Sequence, residues 1–403
     1  MKVDDGMALY VVNRQMYYTG ESGSPEYAVM RDFETGEDIH LPMSVFHILD
    51  AFAFPRDVQS VIREYSLDGQ EAQRLIDFFL SKNLIHLWEP HNRDWGKYNR
   101  GVFNFPFQTL ADTLYDEEIS VAALGVAYDA GVSYQGGSRF APESIRHESR
   151  SIFQYDKKNQ GMWDPATKEI VLGGVKAVDL GDLGSEVQTR NGDVLIGLSE
   201  MTHQLSQKSI IPAIMGGDHS ITYPAILGIL ESGIKQIGII DFDAHSDFLE
   251  PLSKNDWQRK LHHGNVMGLI AGLDQVESIV QIGVRQLIMR PRVNCRKIIS
   301  YSPLDIEESQ TLDSLKELRK DIPWYLSIDI DVLDPSVMPD TGTPLPDGIS
   351  LRQLKCLLNI ISDNRKIIGC DLVEFIGGKS RVGGQVAAEI FLREISAATK
   401  AKA

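Results

Sequence analysis

The chain is short of cysteine. Three stand among 403 residues, Cys295, Cys356 and Cys370. None belongs to a C-x-x-C pair, and an odd, scattered set offers no disulfide framework. A reducing cytoplasm is therefore expected. Long apolar runs are missing too. No stretch approaches the roughly 18 apolar residues of a membrane span. The opening MKVDDGMALYVVNRQMYYTG has no apolar core behind a basic flank, so it does not read as a signal peptide. Positive charge is also scarce: 40 Lys and Arg face 56 Asp and Glu, a formal net charge of −16. General nucleic-acid binding needs clustered cations to meet phosphates, so that class is set aside. The acidic balance instead suits attraction of cationic substrates. What remains is ordinary globular composition, 43% hydrophobic and 24% charged, in a chain long enough for two domains.

Residues 1–90 differ in pattern from the rest. Ala8–Val12 and Tyr27–Arg31 read as short strands separated by turn signals. Three amphipathic helices follow, at Met43–Ala53, Pro55–Tyr65 and Gly69–Asn83, the last opened by Asp68 as a cap. Leu84–Trp88 completes the set as a short strand. This is the layout of a small α+β, winged-helix-like domain. Glu89–Asn104 is polar and rich in turn residues, and residues 91–117 read as a linker. From residue 118 to 403 strands and helices alternate. Strands are expected at Ile119–Ala127, Ile210–Met215, Gln236–Asp241, Ser278–Gly283, Tyr325–Ile330 and Lys366–Leu372, most of them continuous apolar runs. Such runs mark parallel strands buried on both faces. With helices at Asn191–Gln207, Tyr223–Glu231 and Ser350–Ser362, they predict a three-layer α/β/α domain. No internal repeat stands out.

Three motifs begin where predicted strands end: Gly216-Gly217-Asp218-His219-Ser220, Asp241-Phe-Asp243-Ala-His245-Ser-Asp247, and Ser327-Ile-Asp329-Ile-Asp331-Val-Leu-Asp334-Pro335. Ligands of open parallel sheets gather beyond the carboxyl ends of the strands. The i, i+2 spacing of Asp243 with His245, and of Asp329 with Asp331, keeps each pair on one side of an extended chain. Four packed carboxylates repel strongly unless cations lie among them. Mixed aspartate and imidazole donors suit Mn²⁺ and its neighbours better than Ca²⁺. Two such ions lower the pKa of a shared water and supply hydroxide at neutral pH. Each motif alone has a plainer reading as a turn, a cap or a structural histidine. Their joint presence at strand ends is what favours a metal centre.

These motifs resemble those of the ureohydrolases: arginase, agmatinase, guanidinobutyrase, formiminoglutamase and guanidine hydrolase. The resemblance spans roughly residues 118–397 and includes Gly137-Ser-Arg139-Phe-Ala-Pro142-Glu-Ser-Ile-Arg146. It implies an arginase-like three-layer fold and two Mn²⁺. One ion would be held by His219, Asp243, Asp247 and Asp329, and the other by Asp243, His245, Asp329 and Asp331. The implied catalytic residues are Asp247, His263 and Glu374. His263 falls at the family's proton-shuttling histidine, with His262 as the competing assignment, and imidazole titrates in the range that role needs. Glu374 falls at the guanidinium-holding glutamate, where a carboxylate meets the planar fork through paired hydrogen bonds. The similar-looking deacetylases carry other motifs and usually one zinc.

Departures from the family pattern narrow the substrate. Enzymes for free arginine carry polar residues after the second motif. Here Asp247 is followed by Phe248-Leu249-Glu250-Pro251. They also carry an acidic pair after the arginine of the Ile-Gly-x-Arg strand end. Here Arg285 is followed by Gln286-Leu287-Ile288-Met289. An unpaired α-ammonium or α-carboxylate beside apolar groups is costly, so free arginine is a poor candidate. The first 90 residues resemble, in layout, the PqqD-like domains that bind leader peptides by strand addition. They carry 7 Lys and Arg against 15 Asp and Glu, a balance unfavourable to DNA. Together these features resemble a peptide arginase of ribosomal peptide (RiPP) maturation. It would turn arginine residues of a precursor peptide into ornithine and release urea. The leader would sit at the N-terminal domain and the core arginine at the metal site. The alternative is an agmatinase, guanidinobutyrase or guanidine hydrolase acting on a small guanidino compound. The resemblance also implies a homo-oligomer.

Overall fold

A computed structural model describes residues 9–12, 16–21, 26–32, 38–52, 56–88, 101–153, 161–165, 168–183, 193–249, 257, 261–287, 297–363 and 365–400. They fall into two compact units. The first, ending at Trp88, contains six strands: β1 (Leu9–Val12), β2 (Met16–Glu21), β3 (Tyr27–Asp32), β4 (Asp38–Pro42), β5 (Arg56–Asp57) and β6 (Ile85–Trp88). β2, β3 and β4 form an antiparallel meander, while β1 pairs antiparallel with β5 and β6. Helices Met43–Asp50, Val58–Tyr65 and Gly69–Ser81 complete the unit. Val12, Met30, Leu41, Leu49, Phe52 and Phe79 close a core of its own. Asp68 does cap its helix, accepting the N–H groups of Gln70 and Glu71 at 2.8 and 2.7 Å. The helix expected from Pro55 begins at Val58 instead. Asp57 caps it by accepting the Ser60 N–H at 2.8 Å, and Arg56–Asp57 pairs with β1 as a short strand. Pro55 and the segment Glu89–Arg100 lie outside the described residues.

The second unit is built on eight parallel strands in the order β10-β7-β11-β16-β15-β12-β13-β14. These are β7 (Val121–Val126), β10 (Ala177–Leu183), β11 (Ile211–Met215), β12 (Ile237–Phe242), β13 (Val276–Ile282), β14 (Ile298–Tyr301), β15 (Trp324–Asp329) and β16 (Ile367–Val373). A separate hairpin joins β8 (Met162–Asp164) to β9 (Glu169–Val171). Alternate strand residues face opposite layers. Ile240, Phe242, Leu326 and Ile328 share one core with helices Leu351–Ser362 and Arg381–Thr399. Ile239 and Tyr325 share the other with helices Asp193–Gln207 and Thr222–Glu231. The arginase-like three-layer architecture is thus present, preceded by a small unit of strands and helices. Residues 101–117, read as linker from the sequence, lie in this unit, with Val102, Phe103 and Phe105 in its core. The edge strands β10 and β14 and the long helix Arg381–Thr399 were not expected. Arg146 holds β10 in place. Its guanidinium donates to both oxygens of Asp179, at 2.8 and 2.9 Å, and to Asp182.

Candidate metal centre

Four adjacent strands, β11, β16, β15 and β12, deliver the polar residues, so the loops that follow them open side by side. His219 follows β11 in a 3-10 turn opened by Asp218, which accepts the Ser220 N–H at 2.9 Å. The turn needs glycine at 217, because a Cβ there would lie 1.6 Å from the Tyr128 carbonyl oxygen. Asp243, His245 and Asp247 follow β12. Asp329 ends β15, and Asp331 lies in the turn after it. Glu374 comes directly after β16. The backbone is left-handed at Asp247 (φ 45°) and at Glu374 (φ 62°). That region costs a side-chain-bearing residue on the order of 1 kcal/mol or more unless its surroundings hold it there.

The side chains converge. His219 Nδ1 lies 3.2 Å from Asp243, 3.0 Å from Asp247 and 3.6 Å from Asp329. His245 Nδ1 lies 3.0 Å from Asp331 and 3.5 Å from Asp243. Two trios, His219–Asp243–Asp247 and Asp243–His245–Asp331, each bring their ligand atoms within 4.8 Å of one another, and Asp243 belongs to both. Asp329 is in neither trio. Its Oδ2 faces His219, and its Oδ1 accepts the Asp331 N–H at 2.9 Å. The Ala244 N–H and the Thr343 hydroxyl donate to Asp331 at 3.1 and 3.2 Å.

This donor set fits divalent cations. His219 Nδ1 and Asp243 Oδ2 are buried and make no hydrogen bond, a costly state for polar atoms that a cation would relieve. Protons do the balancing otherwise. Burial, reinforced by Asp331 and Asp243, pushes the Asp329 carboxyl well above its usual range. Burial likewise raises Asp247 to about 6, with Asp243 adding to it. At His245 burial opposes the charged ring, but Asp243 and Asp331 outweigh it and push its pKa up to about 11. Cations would replace these protons, since ligation requires neutral imidazole and ionised carboxylate.

Beside the cluster, Glu374 Oε1 accepts the His219 backbone N–H at 3.0 Å and lies 3.1 Å from His263 Nδ1. Glu374 Oε2 is buried without a hydrogen bond, and it lies 3.4 Å from where a Cβ on Gly342 would be. His263 Nε2 receives the Ser133 N–H at 3.1 Å and meets the Ser133 hydroxyl at 2.7 Å. A backbone N–H aimed at Nε2 needs a lone pair there, so the ring carries its proton on Nδ1, toward Glu374. Burial opposes charge on His263, yet Glu374 outweighs it and raises the pKa to about 9. Cations held at Asp243 and Asp247 would draw that value down again. His262 is occupied elsewhere, in a capping box with Asn265.

Five of the six expected ligands therefore meet in the two trios, Asp329 lies beside His219, and His263 and Glu374 stand next to the cluster. Sequence reasoning passed over the supports behind them. Arg285 donates to the carbonyl oxygens of Asp331, Leu345 and Pro346 at 2.8, 2.7 and 2.9 Å, tying down the Asp331 loop. Ser327, Asp371 and Tyr325 form a buried hydroxyl–carboxylate chain behind His219. A polar residue inside an apolar strand, as in Tyr325-Leu-Ser327-Ile or Cys370-Asp371-Leu, was the available signal. Leu249 and Leu287 are exposed. Glu250, Pro251, Ile288 and Met289, part of the substrate argument, lie outside the described residues.

The model of the arginase family matches residues 119–388. This chain belongs to the arginase family. It is similar to proclavaminate amidinohydrolase of Streptomyces clavuligerus, 29% identical over 63% of this chain and 79% of that protein. It is also similar to the mitochondrial agmatinase of Gallus gallus, 30% identical over 68% and 77%. The crystal structure of the Streptomyces enzyme superposes with a TM-score of 0.61 at 26% identity, over 75% of this chain and 97% of that one. A member of the arginase family is an amidinohydrolase working with a binuclear metal centre. Among the described residues no helix is long and apolar enough to cross a membrane.

Proposed function

We propose that this arginase-family enzyme converts arginine residues of a ribosomally made precursor peptide to ornithine, releasing urea, in the cytoplasm. The observation that carries this reading is the first unit. It has its own core, antiparallel strands and three helices, and it lies wholly outside the residues that match the family. Among the described residues, β4 has a neighbour in the meander on one side only, and such a strand can accept an extended leader peptide. Leader binding would raise the local concentration of the core arginine at the metal site.

His219, Asp243, His245, Asp247, Asp329 and Asp331 would hold two divalent ions, read as Mn²⁺. When bound, these ions activate a water for attack and stabilise developing negative charge. Glu374 offers its free Oε2 to the guanidinium, orienting the carbon toward the cluster. His263 is placed to take up the proton that the attacking water gives up and to pass one on to the departing amine. Ser133 keeps the ring in that orientation. Attack at carbon, cleavage of the C–N bond and this proton transfer together yield urea and ornithine.

A second reading, hydrolysis of a small guanidino compound, draws support from relatives named agmatinase and proclavaminate amidinohydrolase. One assay separates the two. Urea release with Mn²⁺ is measured on agmatine, guanidine, free arginine and an internal-arginine peptide fused to its leader, with mass spectrometry for ornithine. Urea from the peptide, weakened when residues 1–88 are deleted, is the expected result. Urea from agmatine or guanidine with the peptide untouched would reject the peptide reading.

A further inference from the structure

We propose that Asp371, acting through Ser327, is a positioning residue that fixes which ring nitrogen His219 presents to the metal cluster. The inference rests on the metal reading of that cluster. All three side chains are buried completely. The Ser327 hydroxyl donates to Asp371 Oδ1 at 2.6 Å, and the Tyr325 hydroxyl donates to Asp371 Oδ2 at 2.7 Å. Asp371 is thereby held at both oxygens and cannot turn away. A serine hydroxyl has one proton. With that proton given to Asp371, only lone pairs remain for His219 Nε2, 3.1 Å away. Nε2 must therefore be the N–H. The lone pair of the neutral ring then falls on Nδ1. That atom faces Asp243, Asp247 and Asp329 and makes no hydrogen bond of its own.

Asp241 is the rival for this role. Its Oδ1 lies 3.7 Å from Nε2, beyond hydrogen-bond reach, and its Oδ2 is taken by the Gln281 amide at 2.9 Å. The serine and the aspartate sit on neighbouring strands, β15 and β16, in direct register. The fold itself therefore sets the polarity of the chain Tyr325–Asp371–Ser327–His219. Without Asp371 the serine proton is free to turn toward Nε2, which would move the ring proton to Nδ1 and block ligation.

The test is a Mn²⁺ titration by calorimetry of the full-length chain, freed of metal first. Asp371→Leu and Ser327→Ala are each expected to weaken the tighter binding step by about 10- to 100-fold, the usual cost of losing an outer partner of a ligating histidine. Because both act through one hydrogen bond, the double variant should bind no worse than the weaker single variant. Two independent structural defects would multiply instead, so multiplied losses overturn the proposal, as does wild-type affinity in either single variant. Thermal unfolding of each metal-free variant reports folding. If Asp371→Leu fails to fold, Ser327→Ala against wild type decides the matter alone. His219→Ala is measured alongside. Wild-type affinity there would overturn the metal reading itself, a failure distinct from loss of the relay.

Discussion

The two imidazoles of the candidate metal centre sit in unlike surroundings. His219 is fully buried, fixed at Nε2 by Ser327 and faced at Nδ1 by three aspartates. His245 keeps 13% of its side chain in contact with solvent, and its Nδ1 faces Asp331 and Asp243. One half of the centre is built into the core, and the other lies at its mouth. A buried ligand can be wired to the sheet through further buried groups, whereas one at the mouth relies on its immediate neighbours. Asp243 is the residue that both halves share.

That sharing gives the largest expected effect. Asp243→Ala should remove urea release below detection and cut bound metal well below one ion per chain, measured by elemental analysis. Retention of one tightly bound ion would mean the halves are separable. Next comes the contrast itself. His219→Ala should weaken metal binding more than His245→Ala, and by more than the roughly 10- to 100-fold that outer-partner losses cost. The reverse order in a calorimetric titration would break the comparison.

A pH experiment sharpens it. In metal-free protein His245 holds its proton up to about pH 11, far above the ordinary 6.5. A proton bound more tightly in the folded than in the unfolded state stabilises the fold. That contribution is complete below about pH 6.5 and is lost as the pH rises toward about 11. The melting temperature of chelated protein should therefore fall across this window. Protein loaded with Mn²⁺ has already given up that proton and should fall less, so the gap between the two melting curves widens with pH. A constant gap would remove the proton linkage. The smallest effect belongs to Thr343→Val, which deletes one hydrogen bond to Asp331 and should weaken metal affinity by about tenfold, in line with one hydrogen bond to a charged group.

Much of this was legible in the sequence, for a physical reason. Buried parallel strands must be apolar throughout, so β7, β11, β12, β13, β15 and β16 announce themselves, and the ligands stand where those runs stop. The edges are harder. Ala177-Val-Asp-Leu-Gly-Asp-Leu183 looks unlike a strand because Asp179 and Asp182 serve Arg146, a partner more than thirty residues away. Helix Arg381–Thr399 is buried on much of its surface, so its pattern carries little periodicity to read. In the first unit the short β5 displaced an expected helical turn, because pairing with β1 competes with the helix start. At the site, first-contact groups declared themselves by spacing. Ser327, Asp371 and Arg285 did not, since their roles depend on register between strands and on carbonyl groups that no local pattern encodes.

The backbone at Glu374 constrains how this site can change over generations. Glu374 occupies a left-handed conformation that suits glycine or asparagine, yet the proposed chemistry there needs a carboxylate. Glycine or asparagine would relax the backbone and end the reaction. Aspartate keeps the charge but is one methylene shorter, so its oxygens would fall short of the His219 N–H and of His263. No single exchange at 374 improves one demand without failing the other. The position is therefore expected to stay glutamate while the surrounding loops drift and take on new substrates.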